Sequence, residues 1–386
     1  MVDTHSKSVF IECPQCRTRY AAETQVGHCV CGSPLFVRYD LEAVADECSA
    51  GLFPEDRRSI WRYASLLPVR SVSHIVTLGE GMTPIVDARR LGDAIGIERL
   101  VIKDETRNPT FSFKDRGMCV AVSKHIEHGS KGFVLPSAGN AAVSLSAYAA
   151  SAGVPAIVYM PADTPEPLFK ACEMFGAVTH RVNGDISDCA KVARQEMGGY
   201  TDLSTTREPY RVEGKKTLAF EIAEQMNWSL PDAIVCPTGG GTAVIGIWKG
   251  IEELEAIGAL RGQRPRLYAV QSDECAPVVR SFQLGHEAVE AWPEPRTCAF
   301  GLRVPRPFGG ALILRALRQS GGSAVAVPES QILEMQRTAS RSVGIEFGPE
   351  TAAALLGVKR LVETGMMSAD EKVLVLNTGT ASRYWG

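Results

Sequence analysis

The chain has 386 residues, 45% hydrophobic and 22% charged, with a formal net charge of −3. That length exceeds one compact core and predicts two domains plus a small extra module. The charge gives no reason to expect a nucleic-acid or anionic-membrane partner, and the first residues lack the apolar stretch of a secretory signal. With no apolar run long enough to span a bilayer, a cytoplasmic protein is expected.

Taken in chain order, the first feature is chemical. Cys13-Pro14-Gln15-Cys16 has a zinc-knuckle spacing, and Cys29-Val30-Cys31-Gly32 could close a ribbon. The second pair is irregular, with one residue between its cysteines, and His28 would restore the two-residue spacing with Cys31. Four thiolates so placed suit structural zinc; a small packed module that keeps its cysteines without metal suits the spacing as well. The other cysteines are scattered singly and read as reduced, packing thiols.

A mixed stretch over 39–74 carries helical pieces and no clear sheet signal. The alternation of strand and helix begins near Arg99. Short apolar runs at Leu100-Val101-Ile102, Gly132 to Leu135, Pro155 to Met160 and Val178 to Val182 predict strands. Helical patterns separate them at Lys114 to His128, Ala141 to Ala152, Glu166 to Phe175 and Ile186 to Met197. A loop is expected over 204–216. A second set of strands follows at Ala233 to Cys236, Leu267 to Val270, Ala324 to Val327 and Val373 to Leu376. Pro328-Glu329-Ser330 and Pro349-Glu350-Thr351 mark helix starts. Apolar runs bounded by Gly and Pro, each followed by a helix, predict an α/β protein with two open parallel sheets.

Two segments carry candidate chemistry. Pro237-Thr238-Gly239-Gly240-Gly241-Thr242 joins a strand to a helix. Its glycines let backbone approach a ligand, and the helix start offers unpaired N–H groups, so the segment can cradle a phosphate or can be a plain tight turn. It is not a nucleotide signature: Val244 stands where the dinucleotide fingerprint needs its third glycine, and Ile247 where a P-loop needs lysine. Earlier, Asn108-Pro109-Thr110-Phe111-Ser112-Phe113-Lys114-Asp115-Arg116-Gly117 reads as a loop feeding a helix near Lys114, with both phenylalanines burying the loop. There the helix dipole and desolvation favour the neutral amine that attacks an aldehyde. From the residues alone, an ordinary exposed first-turn lysine paired with Asp115 is the stronger reading.

The lysine segment closely resembles the Schiff-base lysine motif of threonine synthases. The likeness continues in Leu78-Gly79-Glu80-Gly81-Met82-Thr83-Pro84, in Pro136-Ser137-Ala138-Gly139-Asn140-Ala141-Ala142 and in Glu208-Pro209-Tyr210-Arg211-Val212-Glu213-Gly214-Lys215-Lys216-Thr217. The glycine turn with Ile247-Trp248-Lys249, and Leu376-Asn377-Thr378-Gly379-Thr380, complete the set in family order across nearly the whole chain. The resemblance implies fold type II of the pyridoxal-phosphate enzymes: two open twisted α/β domains with the cofactor between them. Implied boundaries are 1–40 for a zinc-ribbon-like module, 41–112 with 212–386 for a large cofactor domain, and 113–211 for a small domain. Family members are often dimers, so a homodimer is the expectation.

By the same resemblance Lys114 holds pyridoxal 5'-phosphate and later removes the substrate's α proton. Gly239, Gly240, Gly241 and Thr242 cradle the cofactor phosphate, Asn140 meets the ring 3-hydroxyl, and Thr378 faces the ring nitrogen. A hydroxyl at that nitrogen cannot hold it protonated, which suits elimination and replacement. Threonine synthases convert O-phospho-L-homoserine and water to L-threonine and phosphate. Ser204, Thr205, Arg211 and Lys215, read here as loop residues, are the expected partners of the substrate phosphate. The turn from Ser137 to Ala141 is the expected carboxylate cradle.

Some positions depart from the family pattern. Phe111 stands where the motif usually has glycine and is expected to put a large ring beside the cofactor. Leu168-Phe169 replaces a more polar stretch, Thr351 a glycine, and Thr380-Ala381-Ser382-Arg383 a Ser-Gly-Leu-Lys ending. These changes keep open a second function, β-replacement or β-elimination on O-phosphoserine or O-phosphothreonine, as in cysteate-synthase-like enzymes. A ligand-binding relative without activity is a third, against which the intact Lys114 argues.

Overall fold

Runs of Val, Ile, Leu and Ala too short for helices, each followed by a helical pattern, have to pair as buried parallel strands. The computed structural model, which describes residues 6–49, 53, 58–137 and 139–384, shows them doing so in two sheets. The larger has six strands in the order Ser323–Val327, Arg266–Ser272, Ala233–Pro237, Lys372–Asn377, Arg99–Asp104 and Ile85–Asp87. All are parallel except Ile85–Asp87, which runs antiparallel at the edge against Arg99–Asp104. The smaller sheet is wholly parallel, in the order Val178–Val182, Ala156–Pro161, Phe133–Pro136 and Thr201–Asp202. The fold is α/β, as expected.

Ahead of both lies a three-stranded antiparallel sheet, Arg19–Ala21, Ser8–Glu12 and Phe36–Tyr39, whose strands of three to five residues are too short to give a pattern of their own in the sequence. It docks through Glu213, whose carboxylate accepts from the Tyr39 hydroxyl at 2.9 Å and the Val37 amide at 3.3 Å. Gln25 donates to the His128 carbonyl at 2.7 Å.

The expected loop over 204–216 is in part a helix. Tyr210–Gln225 begins immediately after Pro209, its first amides met by Glu208, which accepts from Tyr210 at 2.7 Å and Arg211 at 3.0 Å. Proline and the charged residues suggested a loop; a carboxylate capping the first turn starts a helix instead. The helix is buried along almost its whole length between helices Lys114–Glu127 and Thr242–Ala256. Gly214 is what lets it come so close, since a Cβ there would overlap the Arg116 carbonyl.

Beneath this crossing sits a buried ionic cluster. Arg116 binds Glu105 at 2.6 and 2.7 Å and Glu221 at 2.8 and 3.0 Å, and Lys103 reaches Glu221 at 2.5 Å. Such a cluster adds little net stability over apolar packing, but each member leaves a costly buried charge behind if removed. Here it ties strand Arg99–Asp104 and helix Tyr210–Gln225 to the helix that starts at Lys114.

Candidate active site

In open α/β sheets, ligands bind beyond the carboxyl ends of the strands, where loops leave room and helices present their amino ends. Both sheets obey this here. Strands Arg99–Asp104, Lys372–Asn377 and Ala233–Pro237 are neighbours in the large sheet; they lead into the lysine loop, Thr378 and the glycine turn respectively. In the small sheet Phe133–Pro136 leads to Ser137 and Asn140, and Thr201–Asp202 to Ser204 and Thr205. Together they line one cleft of about 670 Å³.

The lysine loop is zipped to the C-terminal segment. The Phe113 amide donates to the Thr378 carbonyl at 3.0 Å, and the Thr380 amide to the Phe111 carbonyl at 3.1 Å. Lys114 therefore stands at its helix start beside Thr378. Its Nζ has no hydrogen-bond partner among the described residues and lies 4.6 Å from the centre of the Phe113 ring. Burial, then the nearby Arg211 charge, lowers its pKa to about 8, against a smaller opposing pull from Glu350. No pairing with Asp115 forms: that carboxylate is turned away onto Thr110 and Ser144. The result is a free, partly neutral amine in a cleft, as nucleophilic catalysis on a carbonyl needs.

The glycine turn faces it. Gly241 has φ +74° and caps helix Thr242–Ala256 without a side-chain bond, and a Cβ there would overlap Ile313. Among the described residues, the amides of Gly239, Gly240, Gly241 and Thr242 find no acceptor in the protein. Several backbone donors at a helix start, all aimed at a cleft, fit a phosphate monoester. Asn140 opens helix Asn140–Ser151; its Nδ2 reaches the Tyr384 hydroxyl at 3.4 Å, while its Oδ1 is buried without a partner. An orphaned amide oxygen in a cleft marks the place of a polar ligand group. Thr378 lines the cleft with its hydroxyl, whereas Thr380 is spent on Glu346 at 2.5 Å and Ser382 at 2.9 Å. An unpaired amine, a phosphate cradle, an orphaned amide and a lone hydroxyl match the polar groups of pyridoxal phosphate, so the residues present fit that cofactor.

The residues expected at the substrate are placed less uniformly. Ser137, Ala141, Ser204 and Thr205 line the cleft. The Ser137 hydroxyl accepts from the Gly139 and Ala142 amides, both at 3.1 Å, and so shapes its own turn; that of Ser204 goes to Asp202 at 2.5 Å. Arg211 and Lys215 sit on helix Tyr210–Gln225 behind the cleft wall and not in a loop. Arg211 donates to the Leu203 carbonyl at 2.8 Å and the Thr205 hydroxyl at 3.1 Å. Lys215 donates to the Phe113 carbonyl, and burial, with Lys114 and Arg211 adding to it, pushes its pKa well down.

The departures resolve in the same way. Phe111 has φ +58° and is 55% exposed, so it keeps the backbone a glycine would take and turns its ring outward towards Arg383 instead of into the cleft. Of the two phenylalanines expected to bury the loop, only Phe113 does so. Leu168 and Phe169 are fully buried, Leu168 packed under the Gly139 turn and Phe169 beneath the Arg181 guanidinium. Thr351 donates to Asn377 at 2.9 Å and accepts from the Thr378 amide at 3.3 Å, so the hydroxyl that replaces a glycine steadies Thr378. Two cleft residues escaped sequence reading as functional: Glu350, which accepts from the Gly301 amide at 2.8 Å, and Tyr384, which donates to Glu350 at 2.7 Å. A Glu within a proline-led helix start and a Tyr in a C-terminal tail give no local signal.

The four clustered cysteines do come together. Cys13, Cys16, Cys29 and Cys31 place their sulfurs within 4.8 Å of one another, with Cys13–Cys31 at 3.6 Å and Cys16–Cys29 at 3.4 Å. Tetrahedral zinc with bonds of about 2.3 Å separates its sulfurs by about 3.8 Å, so the donor set and spacing fit that metal.

The family described as "Pyridoxal-phosphate dependent enzyme" matches residues 76–379. The chain is similar to threonine synthase from Methanocaldococcus jannaschii, at 35% identity over 370 residues, covering 95% of this chain and 91% of the relative. It is similar to that of Methanosarcina acetivorans at 34% identity over 376 residues, covering 96% and 91%. Among solved structures, maize serine racemase shares the fold, with a TM-score of 0.66 at 22% identity, covering 78% of this chain and 88% of that one.

Proposed function

The chain belongs to the pyridoxal-phosphate-dependent enzymes of fold type II, in their threonine synthase family, and on that premise we propose that it converts O-phospho-L-homoserine and water to L-threonine and phosphate. The observation that carries the reading is a complete cofactor set in one cleft of a chain that resembles threonine synthases over 95% of its length. When bound, the cofactor supplies an electron sink for the pair released at the substrate's α carbon. Lys114 holds it and, once displaced by the substrate amine, takes the α proton at Nζ, a task suited to an amine whose pKa lies near 8. Gly239 to Thr242 bind its phosphate through backbone amides, and Asn140 orients the ring. Thr378 offers the ring nitrogen a hydroxyl and no carboxylate, which favours elimination and hydration over transamination. The turn from Ser137 to Ala141 receives the substrate carboxylate.

Cys13, Cys16, Cys29 and Cys31 hold structural zinc in the same proposal, and the enzyme works as a cytoplasmic homodimer. Metal analysis would then find one zinc per chain and light scattering twice the chain mass; no bound metal would leave a packed thiol module. The reaction is tested by phosphate release from O-phosphohomoserine, lost in Lys114→Ala. Release that survives Lys114→Ala would overturn the assignment of that residue.

A further inference from the structure

The cysteine module reaches the cleft. Its second knuckle, over 27–33, is a tight turn in which the Gly32 amide donates to the Cys29 carbonyl at 2.8 Å and the Cys29 amide to the Ser33 carbonyl at 2.9 Å. Gly32 lines the same cleft as Lys114 and the glycine turn. Gly27 lies so close to the chain at Arg207 that a Cβ on it would come within 2.6 Å of the Arg207 carbonyl oxygen. Arg207 and Phe308 line the cleft too, and the guanidinium lies over the Phe308 ring, 4.3 Å from its centre. Between Gly27 and the knuckle's cysteines, His28 meets Phe308 edge-on, with ring centres 5.8 Å apart and planes at 83°. Edge-to-face rings and a cation over an aromatic face are both favourable geometries, so the three side chains order one another. The spacing offered His28 as a metal ligand with Cys31. Among the described residues the donor group is the four sulfurs without it. The single residue between Cys29 and Cys31 thus completes an all-thiol set and leaves His28 to face Phe308. The module is anchored elsewhere as well, by Tyr39 on Glu213 at 2.9 Å and by Gln25 on the His128 carbonyl at 2.7 Å, so it stays docked without the His28 contact.

We propose that His28 is a positioning residue of the cleft: the cysteine knuckle holds its ring against Phe308, and through Phe308 and Arg207 it fixes the wall on which the amino-acid substrate seats. The cofactor residues Lys114, Asn140 and Thr378 follow other strands, so the effect falls on substrate binding and spares the cofactor. The inference rests on the reading of a phosphorylated amino-acid substrate in this cleft.

The test compares the wild-type holoenzyme with His28→Ala, His28→Phe and, as a control for general loosening of the module, Gln25→Ala. Each is measured for metal content, for cofactor affinity by equilibrium dialysis, and for calorimetric binding of two probes. These are 2-amino-5-phosphonopentanoate and 2-amino-4-phosphonobutanoate, the phosphonate isosteres of O-phosphohomoserine and O-phosphoserine. Loss of one aromatic contact weakens probe binding about twofold to tenfold in His28→Ala. His28→Phe, which keeps a ring, restores it; Gln25→Ala binds as the wild type does, and cofactor affinity and metal content are the same in all four. Unchanged probe binding in His28→Ala, equal weakening in Gln25→Ala, or metal lost from His28→Ala and not regained in His28→Phe overturns the proposal. If the wild type binds only the shorter probe and His28→Ala weakens it, the positioning role stands and the reaction assigned above fails. Binding of neither probe to the wild type overturns both.

Discussion

Lys114 offers the sharpest prediction, because its environment sets a number. An ordinary lysine with a pKa of 10.5 is neutral in about one molecule in a thousand at pH 7.5; at the value of about 8 that burial and Arg211 impose, about a quarter is neutral. Capture of pyridoxal phosphate by the apo protein, which consumes the neutral amine, is therefore about two hundred times more available at that pH than at an exposed lysine. Stopped-flow absorbance across pH 6.5–9.5 should show a capture rate that climbs below pH 8 and levels above it. Lys114→Ala should abolish capture, and borohydride reduction followed by peptide mapping should place the cofactor on Lys114 alone. Arg211→Gln removes a neighbouring positive charge and should move the inflection to higher pH. A rate still rising tenfold per pH unit through pH 9.5 would refute the desolvated-amine account.

Other perturbations follow from the same packing. Arg116→Met strands Glu105 and Glu221 with only Lys103 and should cost about 3–5 kcal/mol in denaturant unfolding. Burial alone would raise the Glu221 pKa, but Arg116 and Lys103 hold it below its ordinary 4.5; the stabilisation it brings is present above that pH and lost as pH falls beneath it, so the variant's deficit should shrink in acid. Gly241→Ala puts a Cβ onto Ile313 at a φ of +74° and should weaken cofactor binding at least about tenfold by equilibrium dialysis. Thr378→Asp places a carboxylate where the ring nitrogen is expected and should shift turnover towards transamination, read as loss of active cofactor during catalysis. Chelation of the metal proposed at Cys13, Cys16, Cys29 and Cys31 should lower the melting temperature of the module that packs against Glu213.

The parallel strands were legible because burial on both faces leaves continuous apolar runs, and Ala233–Pro237, buried at every residue, falls where its pattern puts it. Edge strands such as Ile85–Asp87 and Thr201–Asp202 were not, being two or three residues long with polar members. The lysine, the glycine turn, Asn140 and Thr378 could be read in advance since each follows a strand end, where fold and chemistry coincide. Helix Tyr210–Gln225 was hidden because its polar residues are satisfied by tertiary partners: Glu213 by Tyr39 at 2.9 Å and Lys249 at 3.0 Å, and Glu221 by Arg116 at 2.8 Å. A hydropathy pattern cannot distinguish those from solvated charges.

The measurement that bears most directly on the account is product analysis of the purified holoenzyme supplied separately with O-phospho-L-homoserine, O-phospho-L-serine and O-phospho-L-threonine. The account predicts threonine and phosphate in equal amounts from the first and no turnover of the other two. Phosphate released from O-phosphoserine or O-phosphothreonine, with O-phosphohomoserine left intact, would contradict it.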